Sequence, residues 1–201
     1  QELILGTMDS RGASKSTTPP TSVHILGVAD GVITDRSAAV LSSSPQVWST
    51  RTVVTGDFNG DGRRDLFICG EGRRPTDPAA KTSPRTSPSW GEQSQVFLSE
   101  GDRLVDRTAL LPQAVAFCHG ASAGDVDKAG RASIVMNTVG GVVNDAGGYP
   151  PYPPTYMLKW NGAGFGWTPF PLETGSRTGK PWGFYTGTGD FNGDGFADVA
   201  G

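Results

Sequence analysis

Three features of this 201-residue sequence predict an all-β fold made of repeated, four-stranded antiparallel sheets. An acidic, glycine-containing motif recurs along the chain, short apolar runs of strand length flank each copy, and glycine and proline are abundant at 29 and 15 residues. Charged residues make up only 18 %, which excludes a coiled coil or a long-helix bundle. What remains is a β-rich chain punctuated by turns.

The acidic motif is the clearest internal repeat. Residues 57–65 read DFNGDGRRD, residues 190–198 read DFNGDGFAD, and a weaker copy, DVDKAGRAS, occupies residues 125–133. The copies begin 68 and 65 residues apart, and each one follows a glycine and precedes an apolar run. Periodicity of this kind is typical of repeat architectures, in which each unit covers the apolar faces of its neighbours.

Four strands, A to D, are predicted in each unit. In the unit with the first motif, strand A (51–56) precedes the motif and strand B (65–70) follows it. After a long loop, two apolar runs separated by a short glycine-containing turn predict a β-hairpin of strands C and D. The three predicted hairpins span residues 23–37, 95–108 and 156–168.

Four antiparallel strands in each repeat are typical of a β-propeller blade. We therefore expect one partial propeller domain with repeat units at approximately 1–64, 65–132 and 133–201. Residues 2–6 align in register with residues 65–69, and residue 201 falls within the strand after the third motif, so the units are cut within a blade at both ends. Propellers have about four to eight blades, so three repeat units are fewer than a closed ring needs. We therefore expect the chain to be part of a larger propeller of about six to eight blades.

The complete motifs carry the donor set of a hard-cation site. Positions 1, 3, 5 and 9 have oxygen-bearing side chains, and the backbone carbonyl at position 7 is a further donor. Such oxygens suit Ca²⁺, which takes about six to eight of them, better than a soft metal. The predicted ligands are Asp57, Asn59, Asp61, the carbonyl of Arg63 and Asp65 in the first motif, and Asp190, Asn192, Asp194, the carbonyl of Phe196 and Asp198 in the third.

The motif has two alternative interpretations besides calcium binding in a propeller. An EF-hand needs a glutamate at the twelfth position and flanking helices, whereas Ile68 or Gly201 stands there and the flanks are β-rich. An Asn/Asp/Gly-rich turn without metal stays an alternative, although three crowded carboxylates without a cation repel one another.

The middle motif favours the metal-free alternative. Ala129 and Ser133 replace two carboxylates, which leaves Asp125 and Asp127 as weak ligand candidates. Part of the missing positive charge is expected from Lys128 and Arg131.

The sequence Gly-Asp-Phe-Asn-Gly-Asp-Gly-x-x-Asp-Leu resembles the FG-GAP/VCBS repeat, the calcium-loop blade of integrin α-subunit-type propellers. Residues 96–112 (VFLSEGDRLVDRTALLP) resemble that family's hairpin before the next blade. The resemblance covers essentially the whole chain as three units. It implies an extracytoplasmic protein (secreted, periplasmic or at the cell surface) whose Ca²⁺ ions brace the loops between strands A and B. Because this family includes adhesion proteins, lectins and accessory domains of secreted enzymes, the fold alone does not name the function.

Long loops between strands B and C predict a binding surface, because alternating strand direction places all of them on one face. These loops are residues 6–22, 70–94 and 140–155. Their aromatic and arginine side chains suit a protein partner or a glycan; that the loops only pack on neighbouring blades stays an alternative. The candidate partner-binding residues are Arg73, Arg74, Trp90, Tyr149 and Tyr152.

The two cysteines lie at matching ends of neighbouring units. Cys69 ends a strand B, and Cys118 is predicted to begin the next strand A on the same face. An inter-blade disulfide is geometrically compatible with this placement, and two buried free thiols are the alternative.

No nucleophile–base, metalloprotease or phosphate-loop motif is present, so the segment is not expected to be an enzyme. The net charge of −3 argues against nucleic-acid binding, and no apolar run reaches membrane-spanning length. The expected function is a calcium-braced, non-catalytic protein-binding or scaffolding module. A glycan-binding, lectin-like propeller and an accessory segment of a secreted polysaccharide-active enzyme are the alternatives.

Overall fold

The computed structural model describes residues 2–6, 23–72, 91–144, 155–169 and 185–201. In these ranges the chain is all-β and forms four antiparallel sheets. Sheet 1 contains β1 (Glu2–Gly6), β2 (Val23–Ala29) and β3 (Val32–Asp35). Sheet 2 contains β4 (Thr50–Gly56), β5 (Asp65–Gly70), β6 (Gln95–Glu100) and β7 (Arg103–Asp106). Sheet 3 contains β8 (Ala114–Gly124), β9 (Ser133–Asn144), β10 (Thr155–Trp160) and β11 (Phe165–Pro169), and sheet 4 contains β12 (Gly187–Gly189) and β13 (Asp198–Ala200).

The strands of each sheet follow one another in chain order, as the repeat predicts. The three predicted hairpins are confirmed as β2–β3, β6–β7 and β10–β11. In the first of them Asp30 and Gly31 both have positive φ, at 51° and 77°. Two such residues form the tight turn whose twist matches that of the paired strands.

Consecutive sheets pack face to face and bury both sides of sheet 2. Leu66 and Ile68 of β5 lie in an apolar cluster with residues of sheet 1. Phe67, which alternates with them, lies in a second cluster shared with sheet 3. All three side chains are fully buried. Since burying a Leu, Ile or Phe side chain contributes about 1.5–3 kcal/mol, the alternation along β5 stabilises both inter-sheet contacts.

Short helical turns follow the outer strands of sheets 1 and 2 and were not predicted. They are the one-turn helix α1 (Ser37–Val40) and a 3₁₀ turn (Thr108–Leu110). The first is held by Asp35, whose Oδ1 accepts the Ser37 backbone N–H at 2.8 Å, while Ser37 Oγ accepts the Ile25 N–H at 2.9 Å. The same contacts recur at Asp106, Thr108 and Val96.

Hydrogen bonds to Asp35 have an electrostatic consequence. Hydrogen bonds from the Ser37 hydroxyl and backbone, together with a contact to His24 at 2.9 Å, lower the pKa of Asp35 to about 2. The carboxylate therefore stays ionised, and keeps accepting these hydrogen bonds, further into the acidic range than an ordinary aspartate does.

A disulfide between Cys69 and Cys118 joins β5 to β8. Both residues are fully buried in the cluster between sheets 2 and 3. The prediction that Cys118 begins its strand is wrong, because β8 begins at Ala114. The first residues of β8 pair with the end of β9, from Ala114 opposite Asn144 to Ala116 opposite Val142. The Ala116 backbone also exchanges two hydrogen bonds with that of Glu92, at 3.0 and 3.1 Å.

The glycines before the first two acidic motifs permit close approach of the next sheet. A Cβ added to Gly56 would lie 2.9 Å from the Cβ of Ala132, and one added to Gly124 would lie 2.6 Å from the Cβ of Ala197. Real Cβ atoms essentially never approach so closely. The Gly–Ala contact is therefore repeated from sheet 2 to sheet 3 and from sheet 3 to sheet 4.

We expect Gly124→Ala to lower the free energy of unfolding by about 1–3 kcal/mol, because the added methyl group overpacks this contact. Gly187→Ala is the matched control, since its Cβ would meet nothing within 4 Å. Urea unfolding of both variants measures the difference. Equal midpoints for the two variants would show that the close approach does not constrain the sheets.

Among the residues that the structure describes, no helix has the length and apolarity needed to cross a membrane.

Candidate metal centre

The three acidic motifs form equivalent loops, each connecting the first two strands of sheets 2, 3 and 4. We call residues 57–65 loop 1, residues 125–133 loop 2 and residues 190–198 loop 3. Positive φ angles bend loop 1 at Gly60 and Gly62 (83° and 82°) and loop 3 at Gly193 and Gly195 (78° and 80°). These angles favour glycine, so the glycine positions of the motif determine the path of the backbone.

The aspartate at position 1 organises the backbone of each complete loop. In loop 1, Asp57 Oδ1 accepts the N–H groups of Gly60 and Asp61 at 2.7 and 3.1 Å, and Oδ2 accepts that of Gly62 at 2.8 Å. In loop 3, the corresponding three hydrogen bonds to Asp190 have the same lengths. The backbone N–H of Gly195 is the largest cause of a lowered pKa at Asp190.

Positions 3 and 5 form two successive side-chain turns. In loop 1, Asn59 Oδ1 accepts the Asp61 N–H at 3.0 Å, and Asp61 Oδ1 accepts the Arg63 N–H at 2.8 Å. Asn192 and Asp194 make the corresponding bonds in loop 3, at 2.9 and 2.8 Å. Asn and Asp favour such local contacts to the backbone, so the same sequence folds into the same loop twice.

Position 9 closes each complete loop. Asp65 is buried, and its two carboxylate oxygens accept the N–H groups of Phe58 and Ser99 at 2.8 and 2.9 Å. Burial raises the pKa of Asp65, and the charges of Asp61 and Asp57 act in the same direction. Loop 1 therefore concentrates negative charge around a poorly hydrated carboxylate, which is an environment that a cation would relieve. Asp198 of loop 3 accepts the Phe191 N–H at 2.9 Å.

The donor chemistry of loops 1 and 3 fits a hard divalent cation. Within nine residues, each loop combines three carboxylates, one amide oxygen and the backbone carbonyl at position 7. Oxygen donors of this kind suit Ca²⁺. Within the described ranges, no three His, Cys, Asp or Glu side chains stand close enough together to hold a metal ion as they are placed. Ligation would therefore require the carboxylates to turn toward one another within a backbone that is already bent.

Loop 2 keeps the backbone of the other loops and has lost part of their charge. Asp125 accepts the N–H groups of Ala129 and Gly130 at 2.8 and 2.9 Å, the same positions that Asp57 holds in loop 1. Asp127 forms an ion pair with Lys159 of β10, with Nζ 2.5 Å from Oδ2. This hydrogen bond is the main cause of the lowered pKa of Asp127.

The basic side chain that pairs with loop 2 is not one of the two that the sequence predicted. Lys159, which the sequence analysis did not single out, holds Asp127 directly, and Arg131 contributes only at longer range. The guanidinium of Arg131 donates to the Trp160 carbonyl at 3.3 Å, and Lys128 extends to loop 3. A lysine at the hairpin end of an otherwise apolar strand was the available signal in the sequence.

Backbone hydrogen bonds connect the loops in series. The Ala132 N–H donates to the Asp57 carbonyl at 2.7 Å, and the Ala197 N–H donates to the Asp125 carbonyl at 3.1 Å. The hairpin turn of the same sheet also contacts loop 1, because the Arg63 guanidinium donates to the Gly101 carbonyl at 2.7 Å. Loop 2 is thus bonded to both other loops, and loop 1 is also fixed to the hairpin of its own sheet.

The predicted partner-binding residues Arg73, Arg74, Trp90, Tyr149 and Tyr152 lie outside the described residues. Their role stays a prediction.

The chain matches no protein-family model, and no curated protein matches it. The assignment of a function therefore depends on the geometry of the loops and sheets.

Proposed function

We propose that this chain is part of an extracytoplasmic β-propeller in which calcium ions brace the loops, and that it serves as a non-catalytic protein-binding or scaffolding module. Loops 1 and 3 hold the ions through the ligand positions named above. The bound ion supplies positive charge that offsets the crowded carboxylates. In this proposal the rigid sheets present the predicted long loops between strands B and C to a partner.

The equivalence of loops 1 and 3 is the observation that carries the proposal. Two segments of different sheets repeat the same hydrogen bonds from Asp57 and Asp190, with equal lengths. A turn that only reversed the chain direction would not need three carboxylates in both copies. A site that neutralises them accounts for the repetition.

Loop 2 supports the proposal by contrast. It has lost the carboxylates at positions 5 and 9 and gained one at position 3, Asp127, so it has two carboxylates where the complete loops have three. A lysine ammonium contacts Asp127. Negative charge and the need for an external cation are thus reduced together. This covariation within one chain is what an ion-binding role for the complete loops requires.

The propeller proposal is supported by the two meandering four-stranded sheets and by the packing of sheet 2 on its neighbours through both faces. Blades of a propeller are stabilised in this way by adjacent blades. The buried disulfide weakly favours an oxidising, extracytoplasmic compartment. Glycan binding and a role beside a polysaccharide-active enzyme stay predictions from the sequence.

Thermal unfolding with calcium and with a chelator tests the proposal. We expect calcium to raise the melting temperature, because a ligand that binds only the folded state stabilises it by about 2.7 kcal/mol per site at a hundredfold excess over Kd. Asp57→Ala and Asp190→Ala should each remove part of this calcium response. An identical melting temperature in calcium and in chelator would contradict the assignment.

Asp125→Ala provides the matched control for the loss of loop hydrogen bonds. Asp125 accepts backbone N–H groups as Asp57 does, but it lies in the loop that has its own lysine. The variant should therefore be destabilised to the same extent in calcium and in chelator. An equal loss of the calcium response in Asp125→Ala and Asp57→Ala would place the ions elsewhere.

A further inference from the structure

Lys128 occupies a backbone position that the complete loops give to glycine. Its φ is 51°, where Gly60 and Gly193 at the same place in loops 1 and 3 have 83° and 78°. A residue with a Cβ is uncommon in this left-handed region and costs free energy there. The cost indicates that the lysine side chain contributes something that glycine cannot.

The Lys128 side chain reaches loop 3. Its Nζ donates to the Asp194 carbonyl at 2.9 Å and lies 3.3 Å from the centre of the Phe196 ring. Asp194 and Phe196 are positions 5 and 7 of loop 3, whose proposed ligand atoms are the Asp194 carboxylate and the Phe196 carbonyl. Lys128 contacts other atoms of these two residues, so its ammonium lies beside the proposed site without occupying a ligand position.

The charge of Lys128 is not used within its own loop. Asp127 is paired with Lys159, and Asp125 accepts backbone N–H groups. The hydrogen bond from the Ala197 N–H to the Asp125 carbonyl also fixes loop 2 beside loop 3. The backbone hydrogen bond holds loop 2 beside loop 3, and the extended Lys128 side chain places its ammonium on loop 3.

Loop 1 has a different basic neighbour in loop 2. A Cβ added to Gly60 would lie 3.8 Å from Cβ and Cδ of Arg131, so the aliphatic part of this arginine lies nearest to loop 1. Its guanidinium donates instead to the Trp160 carbonyl of sheet 3. The two complete loops therefore share the ligand residues at positions 1, 3, 5 and 9, and they differ at position 7 (Arg63 or Phe196) and in their basic neighbours.

We infer that Lys128 makes loop 3 the weaker of the two calcium sites. A fixed positive charge beside a site raises the free energy of a bound divalent cation, and the same ammonium stabilises the loop when the ion is absent. The chain would then fill loop 1 at low calcium and loop 3 only at higher calcium. This inference rests on the proposed function, since it concerns the relative affinity of the two proposed sites.

Calcium titration calorimetry on single-site variants tests the inference. Asp57→Ala leaves loop 3 as the complete loop, and Asp190→Ala leaves loop 1. We expect calcium to bind the Asp57→Ala protein more weakly than the Asp190→Ala protein. Adding Lys128→Met to Asp57→Ala should tighten binding about tenfold, the size expected for removing one nearby, solvent-exposed charge. Lys128→Arg, which keeps the charge, should leave the affinity weak.

Lys159→Met is the matched control, because it removes the other lysine of this region, which contacts Asp127 rather than loop 3. It should leave the affinity of loop 3 within about twofold of its starting value. Equal affinities of the two single-site proteins, no tightening by Lys128→Met, or the same tightening by Lys159→Met would overturn the role of Lys128 while leaving calcium binding in place. Absence of calcium binding to the wild-type protein would overturn the proposed function and this inference together.

Discussion

Replacing both Cys69 and Cys118 by alanine is expected to lower the free energy of unfolding by about 4 kcal/mol, the loop-closure contribution of a cross-link between residues 49 apart in sequence. The bond joins the second strand of sheet 2 to the first strand of sheet 3. Without the bond, the conformational entropy of the unfolded chain rises while that of the folded sheets hardly changes, so unfolding becomes more favourable. Urea unfolding followed by tryptophan fluorescence measures the loss.

Reduction provides the control for this prediction. A reductant should lower the urea midpoint of the wild-type protein toward that of the double-alanine variant and leave the variant unchanged. Alkylation in denaturant without reductant should add no mass, because the structure has both sulfurs in the bond. Modification of two thiols under these conditions would refute the cross-link, and a midpoint insensitive to reductant would refute its energetic role.

Local sequence patterns were sufficient to predict the strands and hairpins. Alternating apolar runs placed β5 and the three hairpins at the positions that the structure has. These elements depend on turn residues and on neighbouring side chains, both of which the sequence displays directly. The motif also determines the path of loops 1 and 3, because the glycines at positions 4 and 6 are the residues with positive φ.

Contacts between distant segments could not be predicted in the same way. The pairing of Lys159 with Asp127 joins residues 32 apart, and Lys128 contacts a residue 66 positions along the chain. The close approach of Gly124 to Ala197 likewise appears only when sheets 3 and 4 are packed. Each of these contacts depends on sheet stacking, which the repeat implies and no single residue pattern specifies.

β8 is longer than predicted, since it begins at Ala114 and not at Cys118, and this extra length also depends on contacts between distant segments. Its first residues pair with the end of β9, and Ala116 also exchanges backbone hydrogen bonds with Glu92, which precedes β6 of the adjacent sheet. The apolar pattern around Cys118 does not reveal this partner, because backbone hydrogen bonds between sheets are independent of side-chain type. Glu92 was likewise not a candidate from the sequence, where it is one glutamate within the predicted loop 70–94.

Glu92 is a fully buried carboxylate that connects two sheets. Its Oε2 accepts the Trp48 N–H at 2.9 Å, and its Oε1 accepts the N–H groups of Ser49 and Gly72 at 3.3 and 3.0 Å. Its backbone pairs with Ala116 of sheet 3. Gly70 leaves room for it, since an added Cβ there would lie 2.3 Å from Oε1.

We expect Glu92→Ala to lower the free energy of unfolding by about 3–5 kcal/mol, because it leaves three backbone N–H groups without the acceptor that they have in the folded protein. Glu92→Gln should lose less, since one side-chain oxygen still accepts, although its amide group cannot replace the second oxygen. Urea unfolding of the two variants measures this order. Glu100→Ala is the control: its carboxylate is exposed and pairs with Arg107 at 2.6 Å, so its removal should cost less than about 1 kcal/mol. If Glu92→Ala were no more destabilising than Glu100→Ala, the buried carboxylate would not be what holds the backbone of sheet 2 in place beside sheet 3.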